Sequence, residues 1–201
     1  MRAPEKERAK PRRREAPAVR RAQILTAART CFAQAGFKTT SVDDIAEEAG
    51  VSVGLLYRLF ASKTAIIEAI IADQIEAQIA QAYEIIAASP NTGIDRAKVL
   101  RILGETSFDL QSLALTFEIA AEACRDPALR SFMQNRRATL YDQLIARLTR
   151  GGRSAKTAAR MFAELEVIGA VASGAVIQSL SNPGRSVSEA IRATFLTLRV
   201  K

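Results

Sequence analysis

Residues 36–63 read Gly36-Phe-Lys-Thr-Thr-Ser-Val-Asp-Asp-Ile-Ala-Glu-Glu-Ala-Gly-Val-Ser-Val-Gly-Leu-Leu-Tyr-Arg-Leu-Phe-Ala-Ser-Lys63. Hydroxylated and acidic residues stand where helices can begin, and glycines stand where they can end. Ser41-Val-Asp-Asp44 has the form of a capping box, with Asp in place of the usual Glu. A short helix bearing Val42, Ile45, Ala46 and Ala49 is expected to follow and to stop at Gly50. That glycine supplies the positive φ of a tight inter-helix turn. Val51 is placed to plug the crossing of the two helices. Ser52 can cap a second short helix through Phe60. The pattern is a helix-turn-helix.

The same punctuation continues in both directions. A helix from about Val19 to Ala35 carries the apolar stripe Ile24, Leu25, Ala28, Phe32 and Ala35, and Gly36 stops it. Ser62 can cap a long helix from Lys63 to about Ala88, which Pro90-Asn-Thr-Gly93 breaks. Helical segments are expected over about Ile94–Asp109 and Ser112–Cys124. Asp126-Pro127 opens another to about Arg150, which Gly151-Gly152 ends. Ser154 to Leu180 forms a further helix, stopped by Asn182-Pro183-Gly184. Ser186-Val-Ser-Glu189 is a capping box opening the last helix, to about Val200. No segment alternates like a strand, and there is no Gly-rich phosphate loop and no repeat. The expected fold is all-α with about nine helices: a three-helix head holding the helix-turn-helix, then a helical remainder.

Composition agrees: 48% of the 201 residues are hydrophobic, only 5% are aromatic and Trp is absent. That mix favours helix packed on helix. There is no histidine, which excludes Ser-His-Asp triads, Cys-His dyads, His-ligated zinc and histidine proton shuttles. The expectation is therefore no enzyme, no metal and no cofactor. Cys31 and Cys124 match no disulfide or metal framework, which suggests a reducing, cytoplasmic setting. The longest apolar run, Val167–Ile177, is shorter than the roughly 20 residues a bilayer requires, so no membrane partner is expected.

The net charge of +8 is uneven. Residues 1–21 hold nine basic and three acidic residues, residues 22–68 four and five, and residues 69–201 sixteen and thirteen. The first segment carries Arg12, Arg13, Arg14, Arg20 and Arg21, with Pro4, Pro11 and Pro17, and its only larger aliphatic residue is Val19. Residues 1–18 are expected to be a disordered arm. It would follow a phosphate backbone or enter a minor groove; the alternative is a solubilising tail.

With Gly-aromatic, Thr-Thr, Ile-Ala, Ala-Gly-Val-Ser, Gly, Leu-Tyr, Phe and Ser-Lys in register, residues 20–70 resemble the DNA-binding domain of the TetR family of transcriptional regulators. The resemblance implies a homodimer on a palindromic operator, with the helix of about Ser52–Phe60 in each major groove. The expected head is then residues 19–66, and residues 67–201 form a ligand-binding and dimerisation domain. Thr40, ahead of the first short helix, suits a phosphate. Ser52 and Val53 open the recognition helix, the end that reaches base edges. Gly54 permits close approach. Tyr57 reaches a phosphate or is a partly packed ring. Arg58 takes a base edge or phosphate, and Lys63 a phosphate. Leu56 and Phe60, with Ile24, Phe32, Val42, Ile45 and Ala46, are read as core. The family usually has a small or hydroxylated residue where Leu55 stands, and often His or Tyr where Leu59 stands. Leu55 can instead touch a thymine methyl, and Leu59 gives up a phosphate contact.

The resemblance also implies a repressor released by a small-molecule effector, the alternative being a DNA binder without a ligand, dominated by its arm. Phe108, Phe117, Phe132, Met133, Tyr141, Met161 and Phe162 are ligand-wall or plain core residues. Asp109, Glu118, Glu122 and Glu164 would suit a cationic ligand if two faced inward, and are otherwise a solvated face. Gly169, Ser173 and Gly174 form a dimer seam or an ordinary intra-chain contact. Cys124 is a redox switch or a buried thiol. Because the head is slightly acidic, the arm is expected to supply binding energy the head lacks. Deleting residues 1–17 should weaken DNA binding and flatten the dependence of affinity on salt; an unchanged salt slope refutes this.

Overall fold

The computed structural model describes residues 16–95 and 110–181, together with Val99 and Glu189. Among the described residues it is all helical, with seven helices and no strand. These are α1 (Pro17–Thr39), α2 (Val42–Glu48), α3 (Val53–Leu59), α4 (Lys63–Ala88), α5 (Leu110–Arg125), α6 (Pro127–Arg150) and α7 (Ala155–Ser181). The two further helices expected near 94–109 and 186–200 lie almost wholly outside the described residues. The chain divides into two compact units, Met1–Ile66 and Ile67–Lys201.

In the first unit α1 packs on both α2 and α3, and α2 on α3. Ile24, Phe32, Ile45, Ala46, Leu56 and Phe60 are buried at its centre, as the sequence suggests. Val42 is only half-buried and Ala35 is exposed, and the backbone leaves the helical path at Gly36 (φ 80°, ψ 165°). Phe37, just beyond that kink, takes the buried place and meets Phe32 edge-on with centroids 4.7 Å apart.

Two seven-residue helices are too short to hold themselves together in water, so their ends matter. At α2 the capping box is complete: the Asp44 N–H donates to Ser41 Oγ at 3.1 Å and the Ser41 N–H to Asp44 Oδ2 at 2.7 Å. The Ser41 backbone N–H, and then its hydroxyl, hold the Asp44 carboxyl below its usual range. Its contribution is thus fully present at neutral pH and is lost as the pH falls through that lowered value. At α3 the Leu55 N–H donates to Ser52 Oγ at 3.2 Å. Ser62 likewise caps α4 through the Ala65 N–H at 3.1 Å.

In the second unit α6 packs on α5 and α7. Asp126 Oδ1 accepts from the Ala128 and Leu129 N–H groups, with Pro127 at the first helical position of α6. Arg153, ahead of α7, donates to the carbonyls of Ile86 and Ser89 at 3.0 and 2.9 Å, closing the end of α4. Arg160 donates to the carbonyls of Asn91 and Thr92, and Glu164 Oε2 accepts from the Ile94 N–H.

α7 corrects the length argument about membranes. The helix has 27 residues and a mean hydropathy of 1.4 in its most apolar window, enough by length and composition to cross a bilayer. What speaks for a folded domain is its packing on α6 and the ion pairs of Arg160 with Glu164 and of Glu166 with Arg137.

Gly50 sits at φ 63°, with nothing within 4 Å of the position a Cβ would take. Gly50→Ala should therefore lower stability by about 1–2 kcal/mol through backbone strain alone, seen as an earlier urea transition of the full chain. An unshifted transition contradicts this.

Candidate nucleic-acid interface

α3 has two faces. Leu56 is fully buried and Phe60, at the C-cap, is 5% exposed. Ser52, Gly54, Tyr57 and Arg58 are exposed, and Val53, Leu55 and Leu59 are half-exposed. Tyr57 is 52% exposed, which settles its ring as largely solvated. The expected DNA-facing residues of α3 thus share an open surface whose opposite side anchors it to α1. Gly54 is helical, and a Cβ there would meet nothing within 4 Å. Nothing in the free protein requires a glycine at that position.

Thr40 is placed differently from the sequence expectation. It is 2% exposed, and its hydroxyl is turned inward, donating to the Gly36 carbonyl at 2.8 Å with the Cys31 carbonyl at 3.2 Å. The Gly36 carbonyl also accepts the Thr40 backbone N–H at 3.3 Å, so the hydroxyl is engaged at the end of α1 and is not presented to a phosphate. Lys63 is also partly committed. Its Nζ donates to the Phe37 carbonyl at 2.7 Å and the Thr40 carbonyl at 2.9 Å. An ammonium has three N–H groups, so one is left to point elsewhere. This clamp ties the start of α4 to the end of α1, beside the α2 N-terminus, and sequence spacing gives no hint of it.

Of the arm arginines, Arg12, Arg13 and Arg14 lie outside the described residues. Arg20 and Arg21 lie on the first turns of α1, which starts at Pro17. They are helix-borne. Arg20 donates to Gln23 Oε1 at 3.1 Å, and the Arg21 guanidinium lies 5.0 Å from the centre of the Phe60 ring. The second contact sets a cation beside the end of α3. Burial, and then the carboxylates of Glu48 and Asp44, push the Cys31 thiol up, away from the reactive thiolate.

Among the described residues of the second unit, two clefts lie on either side of one ridge. The larger, of about 420 Å³, lies between α4 and α7 and has Ile79, Ala82, Ile85 and Ile168 among its walls. The smaller, of about 390 Å³, lies between α6 and α7 and includes Gln134, Tyr141 and Ala163. Arg137, Phe162 and Glu166 line both. Of the expected ligand-wall residues, Phe162 and Tyr141 are brought together, with centroids 5.0 Å apart. Phe117, Phe132, Met133 and Met161 line neither cleft; Phe117 is exposed and Met161 is buried core. Phe108 and Asp109 lie outside the described residues. Glu122 and Glu164 are paired with Arg125 and Arg160, so neither offers a lone carboxylate to a cation. Cys124 is exposed, not buried. Among the described residues no cluster could hold a metal ion.

A short helix exposed along one side, anchored along the other and preceded by a glycine turn is the reading head of a helix-turn-helix DNA-binding regulator. Residues 24–70 match the family described as bacterial regulatory proteins, tetR family, and residues 97–198 match the tetracyclin repressor-like C-terminal domain. The chain belongs to the TetR family of transcriptional regulators. The HTH-type transcriptional regulator UidR of Escherichia coli K12 is 32% identical over 130 residues, a match spanning 64% of this chain and 64% of UidR. The Salmonella enterica GusR structure is 26% identical with a TM-score of 0.58, covering 92% of this chain and 97% of that one. FadR from Bacillus subtilis, solved in complex with stearoyl-CoA, shares the fold at 19% identity and a TM-score of 0.58, covering 88% of this chain and 96% of that one.

Lys63→Met separates the two roles of that ammonium. Loss of the carbonyl clamp should lower stability by about 1.5–3 kcal/mol, read by urea unfolding. If the remaining N–H meets a phosphate, the salt slope of DNA affinity should fall by about one. Unchanged stability disproves the clamp, and an unchanged slope disproves the phosphate contact.

Proposed function

We propose that the protein is a ligand-responsive repressor that binds a palindromic operator as a homodimer in the cytoplasm. The observation that carries this reading is the open face of α3. Ser52, Val53 and Gly54 at its start meet base edges, with Leu55 against a thymine methyl. Tyr57, Arg58 and Lys63 meet phosphate or a base edge, and the arginines of residues 1–21 add backbone contacts. In this reading residues 1–18 are the arm, 19–66 the head and 67–201 the ligand and dimer domain.

The exposed side of α7 supports pairing with a second copy. Val167, Ile177 and Leu180 are 60%, 49% and 57% exposed, with Gly174 in the same stretch, while Gly169 and Ser173 border the larger cleft. Small residues let helices approach closely, and covering three large aliphatics removes apolar surface from water. The clefts beside α7 support an effector, as does the acyl ligand bound by the FadR relative. Release follows if the effector binds one dimer conformation better than the other.

The test is selection from random-sequence duplex DNA with the full chain, followed by affinity measurement on the enriched site. A palindrome is expected. Steep salt dependence without enrichment would instead favour the arm-dominated DNA binder. Gly54→Ala is the matched control: it should leave the fold as stable or up to about 1 kcal/mol more so, yet weaken operator binding by the worth of a base contact, about 1–3 kcal/mol. Unimpaired operator binding by this variant contradicts the assignment of α3.

A further inference from the structure

The effector of the proposed function has no assigned chemistry, and the ridge between the two clefts supplies one. Among the described residues, Arg137 on α6 and Glu166 on α7 are the only charged side chains lining either cleft. They meet end-on, with Arg137 Nη2 donating to Glu166 Oε1 at 2.7 Å. The guanidinium also lies 5.8 Å from the centre of the Phe162 ring, which sets the cation beside an apolar wall. A guanidinium has five N–H donors in a planar fork, and this contact uses one. The rest of the fork has no partner among the described residues. Glu166, by contrast, has one oxygen engaged and a single oxygen left, beside a cation that repels a second cation.

The pair is therefore unequal in what it can still accept. A carboxylate, sulfonate or phosphate oxygen pair matches the unused edge of the fork without displacing Glu166. Both partners stay half-exposed, at 42% and 46%, so the site is open to a ligand. The adjoining wall of the larger cleft is aliphatic and suits an apolar body.

We propose that the effector is an amphipathic organic anion, its acidic group held by Arg137 and its apolar body lying between α4 and α7 against Ile79, Ile85 and Phe162. This rests on the ligand-responsive reading above and names the class of ligand for it.

Two fluorescent probes that differ mainly in one charged group test the inference: anilinonaphthalene sulfonate and its uncharged parent, phenylnaphthylamine. Each is titrated into the full chain and into Arg137→Gln and Glu166→Gln. Arg137→Gln should weaken the sulfonate probe about tenfold or more, the worth of a charge-assisted bond. It should leave the neutral probe within about twofold, which also shows that the cleft has kept its shape. Glu166→Gln breaks the same ion pair but keeps the guanidinium, so sulfonate binding should hold or tighten. Equal loss of both probes in Arg137→Gln, no loss of either, or a parallel loss of the sulfonate in Glu166→Gln overturns the proposal.

Operator affinity at saturating probe separates this proposal from the reading beneath it. Release by the sulfonate through Arg137, and not by the neutral probe, supports both. Sulfonate held by Arg137 without any change in DNA affinity supports the anion site and refutes the ligand response. Equal release by both probes keeps the response and refutes the preference for an anion.

Discussion

The ends of two seven-residue helices govern the head. Neither α2 nor α3 is long enough to form alone, because nucleation costs more than so few intrahelical bonds return. Each exists because a serine closes its N-terminus and because its apolar side sits against α1. The Gly50 turn fixes where the second helix starts relative to the first. The clamp from Lys63 and the inward hydroxyl of Thr40 both go to carbonyls in or beside the last turns of α1. The presentation of α3 thus depends on a set of helix-end hydrogen bonds, most of them lying away from its exposed face.

The second unit is held in another way. Long helices need less help at their ends, and charge is used between them. Arg153 and Arg160 reach from the start of α7 to the end of α4 and the turn after it. Arg136 pairs with Glu76 across α6 and α4, and the Arg147 guanidinium lies 3.7 Å from the centre of the Tyr83 ring. Arginine suits this work because its fork can satisfy several carbonyls at once. The Arg137–Glu166 pair differs from these bridges in lining open space on two sides.

Much of the fold was legible from local chemistry. Ser41 with Asp44, Ser52, Gly50 and the Asp126-Pro127 start are signals that act within four residues, and each sits where its chemistry demands. The core positions Leu56 and Phe60 followed from helical spacing. What the sequence did not reveal needs contacts distant along the chain. Lys63 and Phe37 are 26 residues apart, and a lysine after a helix-capping serine reads equally well as solvated. A threonine before a helix reads as outward-facing, whereas the Thr40 hydroxyl turns in to the Gly36 and Cys31 carbonyls. Size alone does not mark a ligand wall, because large side chains mostly fill core; among the described candidates only Tyr141 and Phe162 line a cleft. Arg137 and Glu166 carry no signal in the sequence, because charges on long helices usually face water.

The turn after α4 has a further meaning for how the chain ages in a cell. Pro90-Asn-Thr-Gly93 has the composition of a segment that proteases cut first. Yet the carbonyls of Ser89, Asn91 and Thr92 and the Asn91 side chain accept from Arg153 and Arg160, while Asp95 donates to Ser89 Oγ at 3.0 Å. A protease needs extended, released backbone, and this backbone is held by donors more than 60 residues away in sequence. The turn is therefore expected to resist nicking while the start of α7 stays in place, so limited proteolysis there would report release of α7 and not the local composition of the loop.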